Sequence, residues 1–166
     1  MLSACHERVE RMLSLLTRLC EHLSAKGWDL SAAQAARDVM RYFDLAAPHH
    51  HQDEEQHVFP AVLAGPDRHG LHAVVRQLQS DHQTMNQRWT QARQVLQRID
   101  QLGNAPWHPL TPEEVQWLTE FVSLYDQHIQ LEEQCVYPAA NELLSLEDIR
   151  AMGQDMRVRR GDSAQA

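Results

Sequence analysis

The sequence predicts an all-α protein, an antiparallel up-down bundle of four long helices with a short additional C-terminal helix. Three observations carry that expectation. Apolar residues recur at three- and four-residue steps instead of alternating, the period of a helix with one face in a core. Four such stripes are joined by short connections, which favours antiparallel neighbours. A histidine–carboxylate phrase also occurs twice in matching frames, so the chain reads as two similar helical hairpins.

The first stripe, Leu2, Cys5/His6, Val9, Met12/Leu13, Leu16, Leu19/Cys20 and Leu23, ends at Lys26-Gly27. A basic last turn followed by a glycine stop predicts a helix over residues 2–26. Ser31 is the expected N-cap of the second helix, which carries Val39, Met40 and Phe43 toward a histidine-rich segment. Pro48 interrupts this pattern. Either the helix kinks before His49 or a new segment starts there with proline in its first turn, and the sequence leaves both open. Ala64-Gly65-Pro66-Asp67 is a turn.

The longest clean stripe follows: Leu71, Val74/Val75, Leu78, His82, Met85, Trp89, Ala92, Leu96, Ile99 and Leu102. After Gly103 and a proline-containing loop, Thr111-Pro112-Glu113-Glu114 has the cap, first-turn proline and acidic opening of a fourth helix. Its stripe is Val115, Leu118, Phe121/Val122, Tyr125, His128, Glu132 and Cys135, with a turn expected at Pro138. The short last helix spans 146–160, with Ile149, Met152 and Met156 as its apolar side and Arg157, Arg159 and Arg160 as favourable cations in its last turn. Residues 1–160 are therefore expected to form one domain, and 161–166 a disordered tail.

Composition narrows the function. At 166 residues, 43% apolar and 23% charged, the chain suits a single well-packed domain. A formal charge of -8 opposes nonspecific attraction to nucleic acid or an anionic membrane. No apolar run approaches the roughly 20 residues of a membrane span, and the N-terminus lacks the order of a signal peptide, so a cytoplasmic protein is expected. Cys5, Cys20 and Cys135 are odd in number, and the first two stand about 22 Å apart on one helix. No disulfide framework fits them, and buried thiols in a reducing compartment are expected.

The repeated phrase is His50-x-x-x-Glu54-Glu55 followed by Val58-Phe59-Pro60, then His128-x-x-x-Glu132-Glu133 followed by Val136-Tyr137-Pro138. On a helix, a four-residue offset puts both groups on one face, one turn apart. His6 precedes the first copy and His82 the second at nearly the same distance. From His6 to the end of its helix is about 30 Å, and the second helix returns nearly that length to His50. The equivalent path from His82 to His128 is about 30 Å out and about 26 Å back, so the four histidines converge in one layer. Isolated polar groups on core faces would cost several kcal/mol, whereas a shared ligand satisfies them together. Imidazole with carboxylate suits iron, manganese or zinc. His6, His50, Glu54, His82, His128 and Glu132 are too many ligands for one tetrahedral zinc, and two ions with bridging carboxylates fit better.

These residues resemble the hemerythrin-like (HHE cation-binding) domain over nearly the whole chain, in the doubled His-x-x-x-Glu-Glu phrases, the Phe59-Pro60 and Tyr137-Pro138 endings, and the preceding His6 and His82. The resemblance implies a four-helix bundle holding a non-heme diiron centre with an oxo or hydroxo bridge, able to bind dioxygen or related small molecules. One position departs from the oxygen carriers of that family. Their fifth histidine lies four residues from the equivalent of His82, where this chain has Leu78 and Asn86. The resemblance then points away from bulk oxygen transport, toward sensing, stress response or redox chemistry with dioxygen, peroxide or nitric oxide. A structural or regulatory metal-binding module, holding iron or zinc without turnover, is the alternative, and whether the chain is an enzyme stays open.

Several neighbours have competing readings. His51 and Glu55 share the four-residue spacing, but the second copy has Ile129 opposite His51, which favours His50/Glu54 and leaves His49 and His51 as supporting or solvated groups. Glu133 is an alternative to Glu132 as the bridge. Tyr125, one turn before His128, reads as an aromatic core residue that is also placed to donate to a bound ligand. Cys135 reads as core. His22 is about 24 Å up the first helix from His6 and cannot share the site. His57, His69, His72 and His108 have no counterpart in the repeat and are expected to be exposed. A ferritin-like centre would need two Glu-x-x-His motifs, and only Glu54-x-x-His57 has that form.

Overall fold

The computed structural model describes residues 3–161, and among these no strand occurs. Eight α-helical segments form: α1 (Ser3–Lys26), α2 (Leu30–Arg41), α3 (Ala47–Asp53), α4 (Phe59–Ala64), α5 (Leu71–Asp100), α6 (Pro112–Leu131), α7 (Tyr137–Leu143) and α8 (Leu146–Arg159). Three π turns, Tyr42–Ala46, Glu54–Val58 and Glu132–Val136, join α2 to α3, α3 to α4 and α6 to α7 without a break. The result is four long helical passes and a shorter fifth. Leu2 of the first stripe, Met1 before it, and all of the expected tail except Gly161 lie outside the described residues.

The π turns resolve the ambiguity at Pro48 and correct the turn expected at Pro138. At both prolines, and at Pro60, the chain stays helical. Proline has no N–H, and its ring collides with the carbonyl one turn back, which in a regular helix forces a kink or a break. Here the turn before each Xaa-Pro pair widens instead, closing on i→i−5 bonds from Ala47 to Tyr42, Phe59 to Glu54 and Tyr137 to Glu132.

Two compact units are distinguished, each assembled from two stretches of chain. The first comprises Met1–Ala47 and Gln83–Gln127. Here α1 packs on α2 after the sharp reversal at Gly27, whose φ of 78° suits a glycine. The helix after it is capped by Asp29, not Ser31: the Asp29 carboxylate accepts from Ala32 N at 2.8 Å, and the Ser31 hydroxyl donates to that carboxylate at 2.6 Å. Leu16, Val39, Ala92, Leu96, Ile99 and Leu118 are buried in this unit. Phe43 meets Phe121 edge-on with centroids 5.0 Å apart and also contacts Trp89 and Tyr125. At the start of α6, Thr111 and Glu114 exchange the expected capping bonds.

The second unit comprises Pro48–His82 and His128–Ala166. Phe59, Val62, Val75, Leu78, Val136 and Ala140 are among its buried apolar residues, as are Met152 and Met156 of α8. α8 opens on a capping box between Ser145 and Asp148. Five polar or charged residues already singled out by the repeat, His50, Glu54, His82, His128 and Glu132, are buried here, and so are His51 and Asp53.

Candidate metal centre

α3 ends in His50 and Asp53 and passes into the π turn that starts at Glu54, while α6 ends just past His128 and passes into the π turn that starts at Glu132. The two phrases therefore have the same backbone as well as the same sequence. His50 Nε2 lies 3.4 Å from Glu54 Oε1, and His128 Nε2 lies 3.0 Å from Glu132 Oε1. His82, from the early part of α5, reaches both carboxylates: its Nε2 is 3.5 Å from Glu54 Oε2 and 3.9 Å from Glu132 Oε1. Both carboxylates are 0% exposed.

Ligand atoms of His50, Glu54 and Glu132 all lie within 4.8 Å of one another, and those of His82, His128 and Glu132 do the same. Glu132 belongs to both sets. Donors held about 2.1 Å from one ion at right angles would stand about 3.0 Å apart, and about 3.4 Å apart at tetrahedral angles. The separations along the two phrases fall in that range.

The far sides of two imidazoles are fixed by carboxylates. His82 Nδ1 donates to Glu55 Oε1 at 3.0 Å, and Gln79 Nε2 donates to the other oxygen of Glu55 at 2.8 Å. His128 Nδ1 points to Asp81 Oδ2 at 3.4 Å. With the ring protons placed on Nδ1 by these acceptors, both Nε2 atoms present lone pairs, 3.1 Å apart. Two such lone pairs repel each other unless a cation lies against them. Burial, and after it the nearby His51 and His128 rings, pull His82 down to about 2 against the opposing pull of Glu132. The ring is then neutral at physiological pH, the protonation state that ligates a metal. The donor set, its burial and its spacing fit a cation.

The remaining expected residues fall as follows. His6 is buried on α1, in the first unit. His51 is buried, not solvated: its ring stacks on that of His82, with centroids 4.0 Å apart and planes 14° apart. Glu55 serves His82 from behind. Glu133 is exposed, unlike Glu132. Tyr125 belongs to the aromatic cluster with Phe43 and Phe121. Cys5, Cys20 and Cys135 are half-buried thiols, and burial pushes Cys20 up to about 11, which leaves it unreactive at neutral pH. His22 pairs with Asp29, far from the site in sequence as expected. His69 and His108 are exposed, but two other histidines are not: His57 pairs with Asp155 at 3.1 Å, and His72 bonds to the Gly65 carbonyl.

Sequence reasoning missed three residues. Tyr137 donates its hydroxyl to Glu54 Oε1, so the second copy supplies a donor to the carboxylate of the first. The signal was present in the repeat, because Tyr137 occupies the frame of Phe59 and differs from it only by that hydroxyl. Phe59 instead stacks on His82, with centroids 5.6 Å apart. Asp81 adjoins His82 in the sequence but has no counterpart in the first copy, and Asp53 was passed over beside two better-placed acids.

Among known proteins, the family model described as the Hemerythrin HHE cation binding domain matches residues 1–156. An uncharacterized protein of Haemophilus influenzae is 28% identical over 162 residues, covering 96% of this chain and 88% of that protein. No helix among the described residues is long and apolar enough to cross a membrane.

Proposed function

Because the chain belongs to the hemerythrin HHE cation-binding family, with the all-α hemerythrin-like fold and a buried His/Glu group able to hold metal, we propose that it is a cytoplasmic non-heme diiron protein. Its ligands in this reading are His6 and His50 for one ion and His82 and His128 for the other, with the carboxylates of Glu54 and Glu132 shared between them. His6 enters through the sequence repeat, as the counterpart of His82. The observation that carries the two-ion reading is Glu132, which has ligand atoms of both sets within reach and so stands where a bridge would.

Two irons would supply electron exchange and open positions for dioxygen, peroxide or nitric oxide. The protein's own residues do the rest. Glu55 and Asp81 hold the His82 and His128 rings with Nε2 inward. Tyr137 fixes one oxygen of Glu54 and leaves the other directed toward His82. One turn before His82 stands Leu78, fully buried and without a donor atom, so that side of the centre is not closed by a further imidazole. This supports sensing, stress response or redox chemistry over bulk oxygen transport.

Metal analysis of anaerobically purified protein tests the reading, followed by visible spectra on exposure to dioxygen, peroxide and nitric oxide. Two irons per chain with a charge-transfer band are expected. One zinc per chain with no spectral response would replace this reading with a structural or regulatory module. Reversible oxygenation over many cycles without autoxidation would overturn the argument from Leu78.

A further inference from the structure

α8 is additional to the four long passes that carry the repeat, yet its last turn reaches the residue next to a proposed ligand. Asp53 is 0% exposed and immediately precedes Glu54. Arg160 Nη2 donates to Asp53 Oδ2 at 2.7 Å, and Arg159 Nη2 lies 2.9 Å from Oδ1, close but not aligned as a hydrogen bond. Arg159 also donates to Gln56 Oε1 at 2.9 Å, and Asp155 pairs with His57 at 3.1 Å. Two side chains of α8, Asp155 and Arg159, and that of its C-cap Arg160 therefore grip Asp53, Gln56 and His57, which flank Glu54 or lie within the π turn Glu54–Val58. Met152 and Met156 bury the apolar side of the same helix.

A buried carboxylate is tolerated only with its counter-charges in place. A π turn has poorer hydrogen-bond geometry than the α-helix around it and depends on its surroundings to persist. Both conditions are met here by one helix, which reaches this segment through side chains alone.

We propose that α8 is a retaining strap on the metal centre. Arg159 and Arg160 hold Asp53, and through it the π turn that positions Glu54, so that metal leaves only when the strap detaches. They are positioning residues, since neither contacts a proposed ligand. The proposal rests on the reading of Glu54 as a ligand.

The test uses the full chain. Metal-free protein is followed by hydrogen exchange over residues 53–58, and iron(II)-loaded protein by anaerobic release to the chelator ferrozine. Arg159→Gln/Arg160→Gln should raise exchange at 53–58 and speed iron release by about 10- to 100-fold, the usual scale for groups that orient ligands. Arg159→Lys/Arg160→Lys should recover most of the wild-type behaviour. The triple variant with Asp53→Asn has no buried charge to compensate and serves if the double variant does not fold; it should still release iron fast. Wild-type release and exchange in the folded double variant would overturn the strap, and so would a triple variant restored to wild type, because buried charge alone would then explain the effect. If wild-type protein retains no iron, the diiron reading fails, while exchange at 53–58 still decides whether α8 holds that segment.

Discussion

In metal-free protein, His82 should make stability strongly pH-dependent. The folded state holds its imidazole neutral, pulled down to about 2, whereas in the unfolded chain the ring titrates near the ordinary 6.5. Between those two values the unfolded state binds one proton more than the folded state, so stability rises with pH across that window. The contribution is complete above about pH 6.5 and is lost progressively as pH falls toward about 2. Each pH unit below 6.5 removes about 1.4 kcal/mol, so between pH 7.5 and 4.5 His82 alone withdraws about 2.7 kcal/mol. Against a typical net stability of about 5–15 kcal/mol that loss is large. Urea unfolding of chelator-treated protein, followed by circular dichroism at several pH values, measures the total. His82→Asn removes the titrating ring and keeps an amide donor, so the difference between the two profiles reports that ring together with its coupling to Glu55 and Glu132. Wild type should lose about 2.7 kcal/mol more than the variant over that interval. Parallel stability profiles would refute the argument, since they would mean that the folded protein protonates His82 as readily as the unfolded chain does.

The register of the site is tested by His50→Ala and His51→Ala, of which the first should lose most of the bound metal by elemental analysis and the second should keep it. Glu55→Gln and Asp81→Asn remove the carboxylate charge behind His82 and His128, and each should weaken metal binding by about 10- to 100-fold in calorimetric titration. Tyr137→Phe should leave the chain folded but destabilise the metal-free protein by about 1–3 kcal/mol in urea unfolding, because a buried carboxylate loses a donor. Asp29→Ala should cost about 1 kcal/mol by the same measurement, and Ser31→Ala less, since Asp29 is the residue that accepts the helix N–H.

The long stripes were legible because each repeats a 3.6-residue period over many turns. Leu16, Val39, Leu78, Leu96 and Leu118 are buried where that period puts them. Caps depend on one side-chain rotamer, and Asp29 and Ser31 are both good formers of the same cap, so spacing alone did not separate them. The burial of six polar residues was legible from the repeat, since a polar residue in a core stripe is costly and six such residues in matching frames have few explanations. The outer groups of the site were legible only in part, since Glu55 was read as a supporting or alternative group and Asp81 was passed over. Both lie on faces that ordinarily meet solvent, where Gln79 and Gln77 also bond to them, and only the tertiary approach of His82 and His128 ties them to the site. The α8 contacts to Asp53, Gln56 and His57 span about a hundred residues of chain, beyond any local pattern.

The π turns explain why the tails of the two phrases escaped a helical reading. In a regular helix the residue five positions after a buried one points away from it, so Phe59 after Glu54, and Tyr137 after Glu132, would leave the buried face. Closing the backbone over five residues brings position i+5 round toward position i. Phe59 is indeed 0% exposed and stacked on His82, and Tyr137 is buried with its hydroxyl on Glu54. The magnitudes favour keeping the wide turn. Proline inside a regular helix costs about 3 kcal/mol. Straightening the turn would also turn Phe59 out of the core, and a fully buried side chain of that size contributes about 1.5–3 kcal/mol. One regained backbone hydrogen bond, worth about 0.5–1.5 kcal/mol, does not offset either term. The Val-Phe-Pro and Val-Tyr-Pro endings are therefore part of the site. Proline disfavours the regular turn, the π turn swings the aromatic inward, and the aromatic braces a histidine in one copy and a carboxylate in the other.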